Sequence, residues 1–584
     1  MDQSKTSLNL SRRLFLQGSA AAGTGLVLGF NLSCSSDSTD PGLPEVEFEP
    51  NAFVRIGSDD TVTIIAKHIE VGQGTFTGLA TILADELDAA WEQVRVEHAP
   101  MDAQKYANSF FGEIPGIGPV MGTGGSTAMA DSWMKMREAG AAARSMLVAA
   151  AAAEWGVSAS SISVESGVVS ASGSGQSATF GELARAAAAM DMPESVQLKS
   201  ISDFKLIGSE VPRVDVTPKT DGTAQYTIDI YQPDMLTAVV AHPPWFGGTV
   251  ASFDDSATRQ VPGVVDVVAI PTGVAVLAEG FWAAEMGRRA LTVEWDDSTA
   301  ETRSTAELFN HYRELAGQPG VVARNDGDAT SAIDGAATII EADFEFPYLA
   351  HAPMEPLDCV IRKYNDLCDV WAGAQSPTFD QFTISQILGL PMENVRIHVQ
   401  LGGGSFGRRA TPDSDIAAEA AFIVQAAGTN RPIKLLWTRE DDIRGGKYRP
   451  MVMHRIRAGL DGNGNVVGWH DRIVEQSISG IFLPPGVPDT TPSEGAIIPY
   501  AVPNILLDIH VTSVGVPVLW WRSVEHTHNA FVAEVMIDEL AEAAGADPFE
   551  FRRALLTEHP RHLGVLELAA EHAGWNTPLP EGKA

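Results

Sequence analysis

Cysteine is almost absent from this sequence, with three residues among 584. An all-cysteine iron–sulfur cluster needs four thiolates, so the chain cannot hold one by itself. A framework of several disulfides is excluded for the same reason. Neither kind of cysteine scaffold therefore defines this protein.

Basic residues are also scarce: 40 Lys and Arg stand against 75 Asp and Glu, for a formal net charge of −35. A surface this acidic repels phosphate backbones, which excludes nucleic-acid binding as a primary role. Hydrophobic residues make up 45% of the chain and charged residues 20%, which is typical of globular proteins. At about 100–200 residues per domain, the length predicts about three to five domains.

Long apolar runs are also missing. Beyond the N-terminus, no segment reaches the roughly 18 uninterrupted apolar residues that a membrane-spanning helix needs. Arg12 and Arg13 form a twin-arginine segment that is followed by a short apolar stretch at residues 18–30. This pattern predicts a twin-arginine export signal, a route that carries folded and often cofactor-loaded proteins to the periplasm. The alternative is a basic, frayed terminus. Cys34 is either a lipidated anchor to the membrane or an incidental cysteine.

Three glycine-rich turns, at residues 70–75, 121–127 and 402–409, each precede a segment with helical periodicity. A predicted hairpin of residues 53–56 and 62–66 leads into the first turn. A helix start presents free backbone N–H groups and a partial positive charge, so it suits an anion. Three such turns in one acidic chain predict a single large anionic ligand.

The third turn also matches G-x-G-x-x-G through Gly402, Gly404 and Gly407. A dinucleotide-binding unit would require an acidic residue about 20 positions later, at the end of the next strand. That stretch falls inside a predicted helix at about 413–427, and Glu440 comes too late. A nicotinamide site is therefore disfavoured.

At this point the sequence resembles the molybdenum-cofactor-binding large subunit of the xanthine dehydrogenase and aldehyde oxidase superfamily. It is most similar to the isoquinoline 1-oxidoreductase beta-subunit branch. The resemblance covers nearly everything from about residue 45 to the end. Seven collinear segments carry it: residues 70–75, 123–127, 351–356, 402–409, 431–441, 521–531 and 547–553.

The resemblance implies a multi-domain α+β fold. Residues 1–45 are expected to be signal and linker, and residues 46–205 and 301–584 two parts of the cofactor-binding lobe. An a/b hammerhead domain, residues 206–300, is expected between them. Within that domain the pattern predicts a strand at residues 226–229.

The resemblance also implies a molybdenum–pterin cofactor, often in the cytosine dinucleotide form, with no protein ligand to the metal. Phe406 would place its backbone near the metal, Arg408 or Arg409 would neutralise phosphate, and Arg522 would contact phosphate or substrate. That branch usually has the sequence Gly-Gly-Gly-Phe-Gly, whereas this chain has Gly-Gly-Gly-Ser-Phe-Gly. Ser405 is either a one-residue insertion or the residue at a variable position of the motif. The implied cofactor-binding residues are Gly72, Gln73, Gly74, Gly124, Gly125, Ser126, Thr127, Gly404, Ser405, Phe406, Gly407, Arg408, Arg409 and Arg522.

Relatives carry a catalytic glutamate in a Gly-Xaa-Gly-Glu segment near the C-terminus, and this chain has no such tetrapeptide. We therefore expect a chain truncated before its base, whose catalytic residue is unknown. Either another chain supplies the missing lobe or catalysis fails. Glu70 and Glu355 lie in matching motifs but do not match the base. Electrons would pass to a small subunit with two [2Fe-2S] clusters, and then to a cytochrome or quinone.

The resulting hypothesis is an exported molybdenum hydroxylase subunit that oxidises an aromatic N-heterocycle or an aldehyde with water as the oxygen source. The alternative is a catalytically incomplete fragment, or an exported, tethered binding protein that retains the fold.

Two smaller patterns are open to a second interpretation. Cys359 and Cys368 flank a predicted hairpin turn, and free buried thiols are favoured over a disulfide. His526, His528 and Glu534 have the residue types of a zinc site, although a structural role is favoured.

Overall fold

A computed structural model describes residues 46–479, 483, 487–496 and 498–583. The twin-arginine segment and Cys34 lie outside these residues. The strands, numbered in chain order, are β1 Val46–Asn51, β2 Val54–Gly57, β3 Val62–Ala66, β4 Val94–His98, β5 Glu113–Ile114, β6 Gly118–Pro119, β7 Ile162–Glu165, β8 Val168–Ala171, β9 Ser177–Thr179, β10 Leu236–Ala241, β11 Thr249–Asp254, β12 Val264–Ile270, β13 Gly273–Ala278, β14 Thr292–Asp296, β15 Val321–Asp326, β16 Thr338–Phe346, β17 Leu349–Ala350, β18 Asp358–Tyr364, β19 Leu367–Ala372, β20 Val395–Val399, β21 Ile433–Leu436, β22 Tyr448–Arg449, β23 Val452–Leu460, β24 Val466–Gln476 and β25 Ile505–Thr512.

The α-helices divide the chain between these strands. They are α1 Thr75–Leu87, α2 Ala103–Tyr106, α3 Ala128–Trp155, α4 Phe180–Ala188, α5 Val216–Asp221, α6 Phe281–Ala290, α7 Thr305–Ala316, α8 Ala329–Asp334, α9 Pro377–Leu388, α10 Asp415–Ala427, α11 Arg439–Arg444, α12 His526–Ala543, α13 Pro548–Leu555 and α14 Pro560–Ala573. The mixture of helices and sheets confirms the predicted α+β class. In the described part of the chain, none of these helices is long and apolar enough to cross a membrane.

The N-terminal layer is a four-stranded sheet in the order β1-β2-β3-β4, packed against helices α1 and α3. The predicted hairpin is confirmed, because β2 and β3 pair antiparallel. Gly140 of α3 lets the two helices approach, since a Cβ there would lie 2.5 Å from the carbonyl oxygen of Leu83 in α1. The alanine-rich sequence of α3 thus serves close packing.

A central seven-stranded sheet has the order β12-β13-β10-β21-β18-β19-β20. Its strands come from both the predicted hammerhead segment and the later part of the chain, so one sheet continues across the predicted boundary at residue 300. The domain boundaries themselves stay predictions. Cys359 and Cys368 are buried free thiols in this sheet, as favoured.

The third layer is a five-stranded sheet in the order β15-β25-β24-β23-β16, covered by α12. Valine and isoleucine on β23 and β24 pack against the apolar face of the helix, which carries Val532, Met536 and Leu540. The packing of this layer places the start of α12 against the five-stranded sheet.

One predicted strand is wrong. Residues 226–229 contain a short 3₁₀ helix, Thr227–Asp229, rather than a strand. The side chain of Asp229 accepts a hydrogen bond from the backbone N–H of Tyr226, 3.1 Å away, which favours the turn over an extended chain.

Candidate functional site

The first glycine turn is held closed by a buried carboxylate. Glu70 accepts hydrogen bonds from the backbone N–H groups of Gly72 (2.7 Å), Gly74 (3.1 Å) and Phe76 (3.0 Å). Arg213 lies 3.2 Å from the same carboxylate. Three amides of this turn, including that of Phe76 at the start of α1, are therefore held by Glu70 and are not free for an external anion.

Gln73 braces the same turn from its exposed side. Its side-chain amide donates to the carbonyl oxygen of Ile69 and the hydroxyl of Thr75, both at 2.7 Å, and accepts from the N–H of Val71 at 2.7 Å. The side chain thus holds the turn in shape. The role of Gly72, Gln73 and Gly74 as cofactor ligands stays a prediction.

The second turn offers an open helix start. Gly125 and Ser126 adopt left-handed conformations, with φ of 59° and 57°, and both are exposed. Thr127 caps α3 without a side-chain hydrogen bond to a helix amide within the described chain. Its hydroxyl instead donates to the carbonyl oxygen of Gly124, 2.8 Å away, and accepts from Asn108. The N-terminus of α3 is therefore available to an anion.

The third turn is organised by the buried side chain of Ser405. Ser405 is 1% exposed, and its hydroxyl accepts from the N–H groups of Gly407 (3.3 Å) and Arg409 (3.1 Å). The helix predicted at about 413–427 is confirmed as α10, Asp415–Ala427, which begins a few residues after the turn. The N–H groups of Gly407 and Arg409 thus donate to Ser405 and are not free for an external anion.

A residue that sequence reasoning missed, Gln375, joins the second and third turns. Its side-chain amide donates to the carbonyl oxygen of Thr123 at 2.8 Å, and its backbone carbonyl accepts from the N–H of Thr123 at 2.8 Å. The hydroxyl of Ser405 donates to the side-chain oxygen of Gln375. The only local signal was a polar residue between the end of β19 and Pro377 of α9.

The first turn contacts the other two. The N–H of Gly402 donates to the carbonyl oxygen of Glu70 at 3.0 Å, and the N–H of Ile69 donates to the hydroxyl of Thr123 at 3.2 Å. A Cβ at Gly402 would lie 2.8 Å from the side chain of Val71, so glycine is needed for this approach. The expectation that the three turns gather in one place is confirmed.

Arg408 and Arg409 are buried and paired with carboxylates. Arg408 makes a two-point ion pair with Asp415, at 3.1 and 2.7 Å, and Arg409 lies 2.8 Å from Glu355. Arg409 also donates to the carbonyl oxygen of Gly404 at 2.9 Å. Both guanidinium groups hold the third turn in place, and the predicted phosphate contact would require these pairs to break.

Phe406 and Arg522 lie at the exposed edge of the third turn. Phe406 has a left-handed φ of 58°, is 39% exposed and stacks on Trp521 with ring centroids 6.4 Å apart. Its carbonyl oxygen accepts from the N–H of Arg522 at 2.7 Å. The guanidinium of Arg522 has no hydrogen bond or ion pair to any residue that the structure describes, so this exposed cation is free to bind an anion.

A small cavity of about 40 Å³ lies behind the third turn, between Asp358, Asp380 and Arg409. Burial raises the pKa of Asp380 to about 7, although a hydrogen bond from Ser414 acts in the opposite direction and lowers that pKa. Burial and the neighbouring Glu355 raise the pKa of Asp358 well above its usual range. A cavity of this size holds about one water molecule, so it is not a site for an organic cofactor.

The structure does not bring together the three residues of the zinc alternative, His526, His528 and Glu534. His526 is exposed, whereas His528 is buried 3.1 Å from Glu525. Glu534 instead accepts from the hydroxyl of Tyr500 at 2.9 Å and pairs with Arg552. The three residues therefore do not share a site.

Comparisons with known proteins place the chain in a family. Two models of a molybdopterin cofactor-binding domain match residues 6–230 and 315–556. The chain is 30% identical to isoquinoline 1-oxidoreductase subunit beta of Brevundimonas diminuta, over 97% of this chain and 78% of that protein. The chain belongs to the molybdopterin-binding family of xanthine dehydrogenase and aldehyde oxidase. All three glycine turns lie inside the matched regions, the first two in residues 6–230 and the third in residues 315–556.

The chain is also similar to a second relative and to a solved structure. The chain is 29% identical to a membrane-bound aldehyde dehydrogenase (pyrroloquinoline-quinone) of Gluconacetobacter polyoxogenes, over 96% of this chain and 74% of that protein. The fold resembles the crystal structure of quinoline 2-oxidoreductase from Pseudomonas putida 86, with a TM-score of 0.53 and 17% identity, over 63% of this chain and 54% of that chain. The chain described here therefore covers about half the length of that structure.

The residues at the junction of the turns fit an anionic cofactor. The N-terminus of α3 at Thr127 lacks a side-chain cap within the described residues, and the exposed guanidinium of Arg522 supplies positive charge. Both groups suit the phosphate of a pterin cofactor. The assignment of individual cofactor ligands stays a prediction.

Proposed function

We propose that this chain binds a molybdenum–pterin cofactor where its three glycine turns meet, and that it serves as the large subunit of a molybdenum hydroxylase. Its substrate would be an aldehyde or an aromatic N-heterocycle, hydroxylated with oxygen from water. The observation that carries the proposal is the hydrogen-bonded junction of the turns through Gln375, which joins the two family-matched regions.

The chain's own residues would hold the cofactor by its polar edges. The amides that begin α3, next to Gly125 and Ser126, would receive phosphate, and Arg522 would pair with a second charged group. Gln73 and Phe406 would border the pterin. When bound, the cofactor supplies a two-electron redox centre and activates the water that provides the oxygen.

The partners are proposed from the family resemblance. Three cysteines cannot build an all-cysteine iron–sulfur cluster, and the resemblance implies that electrons would leave through a small subunit with two [2Fe-2S] clusters. A cytochrome or quinone would accept them next. We propose the cytosine dinucleotide form of the cofactor, because a dinucleotide presents two phosphates to the junction.

Location is a further part of the proposal. Arg12 and Arg13 would direct export of the folded, cofactor-loaded chain, and Cys34 would carry a lipid that tethers it at the membrane. Metabolic labelling with a fatty acid, comparing the chain with its Cys34→Ala variant, tests the tether.

The decisive experiment measures molybdenum and pterin in the chain purified with its genomic neighbours from a cofactor-competent host. Arg522→Ala should bind the cofactor at least about tenfold more weakly, since a charge-assisted hydrogen bond contributes about 1.5–3 kcal/mol. Arg561→Ala, which removes an exposed arginine from α14, is the matched control and should retain it.

Two outcomes are distinguishable. Absence of molybdenum and pterin from the folded wild-type chain would refute the proposal. Bound cofactor with no turnover of any aldehyde or N-heterocycle would instead favour the alternative, a binding protein or incomplete fragment that retains the fold.

A further inference from the structure

A buried cluster of acidic and histidine side chains lies under the start of α12, outside the junction of the turns. Asp471 and Glu475 of β24 and His454 of β23 share one face of the five-stranded sheet, because alternate residues of paired strands point the same way. Glu525 and His528, from the first turn of α12, pack onto that face. All five residues are at most 3% exposed.

Two hydrogen bonds set the proton positions on the histidines. The Nδ1 atom of His454 lies 3.0 Å from the carboxylate of Asp471, and its Nε2 atom lies 2.9 Å from Nδ1 of His528. An ionised carboxylate only accepts, so His454 donates from Nδ1 and accepts at Nε2. His528 must then donate from Nδ1, which leaves its Nε2 lone pair unprotonated in the neutral ring.

That lone pair faces two carboxylates. The Nε2 atom of His528 lies 3.1 Å from an oxygen of Glu525 and 3.3 Å from an oxygen of Glu475. Neither oxygen of Glu475 has a hydrogen-bond partner among the described residues, although the side chain is fully buried. Three electron-pair donors thus converge on one point, an arrangement that is unfavourable unless a positive charge lies between them.

The surrounding charges do not supply that balance. Arg449 is the nearby cation, and it donates to the carbonyl oxygen of Pro347. Asp489 adds a further negative charge on the side of Glu475. Burial and the adjacent Glu525 raise the pKa of Glu475 well above its usual range, since both disfavour a second negative charge there.

We propose that Glu475, Glu525 and His528 form a structural binding site for a divalent cation, with zinc as the best-fitting ion. One imidazole and two carboxylates are zinc ligands, and in a tetrahedral site with bonds of about 2.0–2.1 Å two ligand atoms lie about 3.3 Å apart. The observed separations of 3.1 and 3.3 Å match that spacing. A metal-bound histidine also commonly donates its other N–H to a fixed acceptor, as His528 does to His454.

Bound zinc would fasten the start of α12 to the sheet. The turn that leads into α12 contains Ser523 and Val524 in left-handed conformations, with φ of 75° and 50°. It also carries Arg522, whose N–H donates to the carbonyl oxygen of Phe406. The ion would therefore hold the edge of the third glycine turn in position without touching the cofactor.

The test measures zinc binding to the full chain after treatment with a chelator, by competition with a chromophoric zinc indicator. We expect about one tightly bound zinc per chain, at least about 100-fold weaker binding in Glu475→Gln and His528→Gln, and about 10–100-fold weaker binding in His454→Phe. His526→Gln changes an exposed histidine in the same helix turn and should bind zinc as the wild type does.

Two further readouts keep the test independent of variant folding. Cobalt(II) bound to the wild type should show the visible absorption of a four-coordinate site and magnetic coupling to one imidazole nitrogen. Zinc should raise the Tm of the wild type and leave that of Glu475→Gln unchanged. The proposal is overturned if the folded wild type binds no zinc, if cobalt shows no nitrogen coupling, or if Glu475→Gln binds zinc as tightly as the wild type.

Discussion

Single buried polar side chains set the shape of the glycine turns. Glu70 satisfies three backbone amides of the first turn, and Ser405 satisfies two of the third. Arg408 and Arg409 neutralise carboxylates that the fold has buried. At the second turn, around Ser126, the start of α3 has no side-chain cap among the described residues.

The hydroxyl of Ser405 should matter for stability. Ser405→Ala leaves the buried side-chain oxygen of Gln375 and two turn amides without their partner, so we expect a loss of about 1–3 kcal/mol in the free energy of unfolding. Chemical denaturation measures this loss. Ser126→Ala, at an exposed position in the second turn, is the control, and equal effects for the two variants would contradict the assignment.

Asp215 should make the free energy of unfolding depend on pH in the acidic range. Burial opposes its ionisation, but hydrogen bonds from Arg213 and Lys219 outweigh burial and lower the pKa of Asp215 to about 2. Because the pKa is lower in the folded state, the ionised Asp215 stabilises that state. This contribution is fully present when the pH is above 3.8, the pKa in the unfolded chain, and it is lost as the pH falls toward about 2. The contribution is at most about 2 kcal/mol.

The comparison with Asp215→Asn isolates this effect. The difference in free energy of unfolding between the wild type and the variant should be constant above pH 5 and shrink as the pH falls from about 4 to about 2. A difference that does not change with pH would show that Asp215 does not act through its charge.

Helix packing depends on where the sequence places its smallest side chains. Helices α1 and α3 meet at Gly140, and α1 begins at Gly74, whose φ of 92° suits glycine. The start of each helix was predictable, because periodicity and glycine turns are local features. Their contact was not predictable, since it joins residues more than 50 positions apart.

Gly140→Ala should destabilise the protein by about 1–3 kcal/mol. The added Cβ would lie 2.5 Å from a backbone carbonyl, and this clash exceeds the gain of about 1 kcal/mol in helix propensity. Gly462→Ala is the control, because nothing lies within 4 Å of a Cβ there. Thermal unfolding compares the two, and a stabilised Gly140→Ala would show that the helices can move apart.

At the scale of the whole molecule, net charge opposes compactness. The formal charge of −35 raises the free energy of the folded state through self-repulsion. Raising NaCl from 0.01 to 1 M shortens the Debye length from about 30 Å to about 3 Å, so we expect Tm to rise by at least about 2 °C. The rise should shrink near the isoelectric point of about 4.7, and a fall in Tm at neutral pH would contradict this account.

Local sequence accounts for the hairpin, the helix starts, the three glycine turns and the family, because backbone geometry and motif spacing are properties of neighbouring residues. Tertiary contacts alone decided which of those turns stay open to a ligand. Gln375 reaches Thr123 across 252 positions, and Glu475 meets His528 across a sheet and a helix. Packing between distant segments decides the partner of a buried polar group. Only the tertiary structure therefore showed that the start of α3 near Ser126 and the guanidinium of Arg522 lack side-chain partners among the described residues.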